Sequence, residues 1–112
     1  MVGMQLEDNN QRSTTLIGDW DRQGVSNFAL NVSDGELTCS GLSEKVPFIL
    51  DELNWSLAYP DLRCSDGRKG TLKLNLRGNL LTARGIGIGR LNDGTKIKVI
   101  LGDLSGPLDF DW

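Results

Sequence analysis

Histidine is absent from the chain's 112 residues, and there are only two cysteines. Without histidine no Ser-His-Asp, Cys-His or other imidazole-based acid–base arrangement is available. Two isolated cysteines do not make a zinc site. Any catalysis falls to carboxylates, as in glycoside hydrolysis, with Asp19, Asp21, Asp51, Glu52 and Asp61 as candidates. Each stands beside an expected turn, where acidic residues have a structural reason to be, so the expectation is a non-enzymatic protein with no metal and no cofactor. No window of about 18 uninterrupted apolar residues occurs, which leaves no transmembrane helix. The first ten residues lack a basic segment followed by an apolar run and do not read as a signal peptide. Two compartments stay open: the cytoplasm, or the envelope after removal of a signal.

The chain is also short of positive charge. Twelve Lys and Arg against fifteen Asp and Glu give a net charge of −3, which argues against a nucleic-acid partner. Nine of the cations nevertheless fall between residues 63 and 98, among them Lys73, Arg77, Arg84 and Arg90. The acidic residues concentrate before residue 62 and after residue 102.

What is abundant is a strand pattern. Three Asp-Gly pairs, in Ser33-Asp34-Gly35-Glu36, Ser65-Asp66-Gly67-Arg68 and Asn92-Asp93-Gly94-Thr95, lie between runs of alternating polarity. Such pairs predict tight type I′ hairpins, whose central residues need positive φ. Alternation marks strands over residues 15–20, 25–32, 36–40, 45–50 and 53–59. A helix over 47–58 competes, because Ile49, Leu53 and Leu57 also fit helical spacing. Pro60 ends a strand or marks an edge. Residues 62–101 read as an antiparallel meander with strands over 71–77, 80–91 and 95–101. Leu108, Phe110 and Trp112 alternate with aspartates and offer either a last strand or a peptide that docks into a basic pocket. The length predicts one domain, here residues 15–112 behind a flexible lead-in over 1–14. The fold expected is all-β, an antiparallel meander of about eight to ten strands closed into a small barrel or sandwich, because an open sheet exposes its edges.

Leu37-Thr38-Cys39-Ser40 and Leu62-Arg63-Cys64-Ser65 repeat one pattern 25 residues apart. In a strand the Leu and Cys of each copy share a face, so both cysteines are expected in the core. They form either a Cys39–Cys64 disulfide, which implies an oxidising compartment, or two buried thiols acting as small hydrophobes. In Gly85-Ile86-Gly87-Ile88-Gly89 the glycines line one strand face and the isoleucines the other. The spacing does not fit a dinucleotide fingerprint. A bare glycine face lets a large side chain such as Trp20 or Trp55 pack closely, or admits a ligand or a partner strand. Gly85, Gly87 and Gly89, with Arg84, Arg90, Lys73 and Arg77 beside them, form the candidate binding face. Asp19-Trp20-Asp21-Arg22-Gln23-Gly24 approaches a calcium loop but fails at its fifth position, Gln23, and at its twelfth, Leu30.

The run Cys64-Ser65-Asp66-Gly67-Arg68-Lys69-Gly70-Thr71, followed by residues 85–95 (GIGIGRLNDGT), resembles a pattern in small bacterial envelope proteins and lipoproteins. The resemblance covers the last half of the chain and implies an exported β-rich domain with no known activity. Gly18-Asp19-Trp20 is similar to the Gly-x-Trp of lipocalin-type barrels, and the Cys-bearing hairpins resemble small periplasmic lysozyme-inhibitor barrels. None of these transfers a site residue. Three functions follow as expectations: a non-enzymatic envelope domain that binds a protein or small ligand, an intracellular or viral accessory protein acting by protein contact, and a carboxylate-only hydrolase.

Overall fold

The computed structural model describes residues 1–23, 27–45, 54–78, 84–102 and 110. They form eight antiparallel strands: β1 (Val2–Glu7), β2 (Ser13–Gln23), β3 (Asn27–Ser33), β4 (Thr38–Leu42), β5 (Asn54–Cys64), β6 (Lys69–Arg77), β7 (Arg84–Leu91) and β8 (Lys96–Leu101). Each pairs with the next in sequence, and β1 pairs with β8, which closes the meander into a barrel. Closure leaves no free sheet edge among the described strands. No helix among the described residues is long and apolar enough to cross a membrane.

Strand alternation sets what lies inside. Val2, Met4 and Leu6 of β1, Leu72, Leu74 and Leu76 of β6, and Ile97, Val99 and Leu101 of β8 point inward and are buried. An eight-stranded barrel is just wide enough for such side chains to fill it. Tyr59 of β5 is fully buried, and its hydroxyl accepts a 2.7 Å hydrogen bond from Trp20 Nε1. Burial pushes the phenol well above its ordinary pKa. The Trp20 ring stacks on Phe28 with centroids 4.0 Å apart. The Trp of the Gly-x-Trp triplet is therefore part of the interior packing, and Gly18 lets the Asn31 backbone approach β2 closely.

The connections sort the barrel into two ends. Residues 8–12, 34–37, 65–68 and 92–95 join strands at one end, which we call the turn end. At the other end β2, β4, β6 and β8 finish and β1, β3, β5 and β7 begin. All three Asp-Gly turns thus share one end. They are not type I′: Gly35, Gly67 and Gly94 have φ near +90°, while Asp34, Asp66 and Asp93 do not have positive φ. Gly67 N donates to Cys64 O and Gly94 N to Leu91 O, the pattern of a type I turn closed by a left-handed glycine. The aspartates act through their side chains instead. Asp93 Oδ1 accepts from Thr95 N at 2.9 Å, and Asp34 Oδ1 accepts from Glu36 N and Leu37 N. These bonds hold both carboxyls below their ordinary pKa, chiefly through Leu37 N at Asp34 and Thr95 at Asp93.

Several expectations change. Residues 2–7 are not lead-in. Val2, Met4 and Leu6 alternate with Gly3, Gln5 and Glu7, and the barrel needs this strand to close. Pro60 does not end β5, which runs through it with a register shift between Tyr59 and Leu62, a bulge that tolerates a residue without N–H. Residues 54–58 are strand, not helix. Lys45 is not in a strand, and residues 46–50 of the strand expected over 45–50 lie outside the described residues, as do residues 25–26 and 53 of two others, residues 80–83 of the long strand and most of the last one over 108–112.

Candidate functional site

Cys39 and Cys64 face one another across β4 and β5 and are joined by a disulfide. Ser65 N donates to Thr38 O beside them, so theirs is a non-hydrogen-bonded pair, where facing side chains approach most closely. The bridge sits in the shortest seam of the barrel. Among the described residues only Cys39↔Cys64 and Ser40↔Arg63 are in register between β4 and β5. The disulfide holds this seam closed.

The glycines of β7 do not form a ligand surface. Gly85, Gly87 and Gly89 face the interior, opposite Leu76, Leu74 and Leu72. A Cβ at Gly85 or Gly89 would fall inside the Asn75 or Thr71 carbonyl oxygen, and one at Gly87 would meet a Leu74 methyl. The bare face thus admits the neighbouring strand and its leucines, rather than Trp20 or Trp55. Trp55 caps a different place, donating its Nε1 to Gly78 O at 2.8 Å.

The predicted face is therefore divided. The glycines lie inside and Lys73, Arg77, Arg84 and Arg90 lie outside. On the outer wall alternation adds residues that the sequence reading did not group with them. The outward positions of β6, β7 and β8 are Lys69, Thr71, Lys73, Asn75 and Arg77, then Arg84, Ile86, Ile88 and Arg90, then Lys96, Lys98 and Ile100. These include seven of the chain's twelve cations and no carboxylate. Register places Ile88 between Lys73 and Lys98, Arg90 beside Lys96, and Arg77 directly opposite Arg84. Ile86 and Ile88 are 44% and 60% exposed. Two open grooves follow the outer wall here. The larger, about 640 Å³, has Ser56, Asn75, Arg77 and Ile86 on its sides; the smaller has Ala58, Pro60, Lys73 and Ile88.

Two arginines elsewhere are paired. Arg68 reaches Asp66 at 2.7 Å, Asp93 at 3.4 Å and Thr95 at 3.2 Å, tying two turns together. Arg63 binds Asp61 and lowers its pKa. Among the described residues Lys73, Arg77, Arg84, Arg90 and Lys96 enter no ion pair. Like charges directly opposite one another on a sheet destabilise it, so the Arg77–Arg84 pair is a local cost.

The other candidate residues do not converge. Asp19 and Asp21 point outward from β2, and Asp61 is three strands away on β5. Asp51 and Glu52 lie outside the described residues. Among the described residues no group of three or more His, Cys, Asp or Glu stands close enough to hold a metal ion. The signal that locates the basic wall is present in the sequence: once the glycines are inside, every second residue of 84–90 and 96–100 is outside. Compared with known proteins, the chain matches no family model, no curated protein and no solved structure.

Proposed function

We propose that this chain is a non-enzymatic, disulfide-stapled binding domain of the bacterial cell envelope, and that its working surface is the basic outer wall of β6–β8. The carrying observation is the concentration of unpaired cations around Ile86 and Ile88 on a chain of net negative charge. A surface of one sign with an apolar centre fits an anionic protein partner, steered by charge and held by the isoleucines. The Cys39–Cys64 bridge supports an oxidising compartment, since such bonds are rare where thiols are kept reduced.

The test exploits the Arg77–Arg84 pair. Glutamine at Lys73, Arg77, Arg84 and Arg90 removes the like-charge repulsion, so this variant should unfold at the same urea concentration as the native chain or higher. The native chain should be retained on a poly-glutamate matrix at low salt despite its net charge, and this variant should lose that retention. A native chain that is not retained, or a variant retained equally, removes this wall as the working surface.

A further inference from the structure

One residue from outside the strands lies against the edge of this wall. Gly3 points outward from β1, between Ile17 and Ile100, yet it is buried. Ile100 beside it is half-buried, although it too points outward. Phe110 is only 8% exposed and lies outside every strand. Its backbone carbonyl accepts a 2.9 Å hydrogen bond from Lys98 Nζ, on the outer face of β8. Phe110 therefore sits against the outer face of β8, at the edge of the basic wall. In sequence Phe110 stands between Asp109 and Asp111, in the run Leu108-Asp109-Phe110-Asp111-Trp112.

Resting on the reading of the basic wall as the working surface, we infer that the acidic, aromatic C-terminus is that wall's resident intramolecular ligand. The partner it gives way to is an extended peptide segment of the same chemistry, an aromatic residue flanked by carboxylates. Charge complementarity and the observed seat of Phe110 both point to this occupant. The carboxylates answer the unpaired cations, and the aromatic ring answers the Ile86–Ile100–Gly3 row. A tethered tail competes at high effective concentration, so an outside peptide binds only the fraction of molecules whose wall is open. A wall covered nine-tenths of the time weakens an outside peptide about tenfold.

The experiment titrates the full chain into a fluorescein-labelled peptide, Pro-Leu-Asp-Phe-Asp-Trp, and follows anisotropy at low and moderate salt. Phe110→Ala in the full chain should tighten peptide binding about tenfold. A second variant, Asp109→Asn with Asp111→Asn, weakens the tail without touching its ring, and should shift binding in the same direction. Lys73→Gln with Arg90→Gln in the Phe110→Ala background should weaken it again. Equal binding of the peptide by the native chain and both tail variants overturns the inference, as does equal binding of a peptide with Asn in place of both Asp. Poly-glutamate retention that depends on the wall, together with no tail effect, leaves the basic surface standing and removes the C-terminus as its occupant. Anionic phospholipid vesicles captured by the Phe110→Ala chain in place of the peptide also overturn it, in favour of a membrane surface.

Discussion

Alanine at Gly85, Gly87 and Gly89 should destabilise the barrel unequally, and the order follows from what each new methyl meets. At Gly85 the methyl overlaps the Asn75 carbonyl and lies 3.0 Å from Leu76 Cα; at Gly89 it overlaps the Thr71 carbonyl and lies 2.9 Å from Leu72 Cα. Both obstacles are backbone. Relief requires β6 and β7 to separate, which strains the ladder and lengthens its hydrogen bonds. Overpacking of this kind costs about 1–3 kcal/mol, and each ladder bond lost adds about 1 kcal/mol. At Gly87 the nearest atom is a Leu74 methyl, which can rotate, and the Lys73 carbonyl oxygen is 3.0 Å away. Gly85→Ala and Gly89→Ala should each cost about 3 kcal/mol, and Gly87→Ala about 1 kcal/mol. Urea unfolding at constant m-value measures the series. Three neutral substitutions, or Gly87→Ala as the worst, would refute the inward placement of this face. Gly87→Ala should leave retention on poly-glutamate unchanged, since the working wall is on the other side of the strand.

Three more outcomes follow from the packing. Replacing Cys39 and Cys64 together with alanine opens a 25-residue loop and should cost about 3.5 kcal/mol in the chain-entropy account. This should lower Tm by about 15 °C; a change of a degree or two would mean that the β4–β5 seam holds without its bridge. Tyr59→Phe strands the Trp20 N–H in a partly buried place and should cost about 1–3 kcal/mol by the same urea assay. The native chain should also lose stability as pH rises above about 10, because the unfolded phenol ionises there while the buried one resists, and Tyr59→Phe should reduce that loss. Asp34 and Asp93 have depressed folded values, so their contribution is present above the ordinary carboxylate range and is lost as pH falls through the folded pKa. Asp34→Asn with Asp93→Asn should flatten the acid limb of a stability–pH curve, and an unchanged acid limb would show that these turns contribute nothing to it.

Much of the barrel is legible in the alternation of the chain. Leu72, Leu74 and Leu76 announce an inward face, and the three Asp-Gly pairs mark hairpin ends even though each has its positive φ at the glycine alone. The first strand is harder to see. Val2, Met4 and Leu6 make only three inward points, and what holds them is pairing with β8, nearly the whole chain away. Pro60 reads as a stop because a local rule cannot show that its missing N–H falls at a bulge. The candidate site was half legible. Arg84, Arg90, Lys73 and Arg77 stand out as charges, but grouping them with Gly85, Gly87 and Gly89 joins residues that lie on opposite sides of one wall. Lys96, Lys98 and Ile86 join the cations only when register sets three strands side by side.

The central claim is that the outer wall around Ile88 is where this protein meets its partner. Site-specific photo-crosslinking in the native cell tests it most directly, with the reactive side chain placed at Ile88 and, as a control, at Ser40, exposed on β4. The account predicts a discrete crosslinked protein from position 88, lost when Arg84 and Arg90 are changed to glutamine, and none from position 40. Crosslinks from position 40 alone, or the same products from both positions, would contradict it.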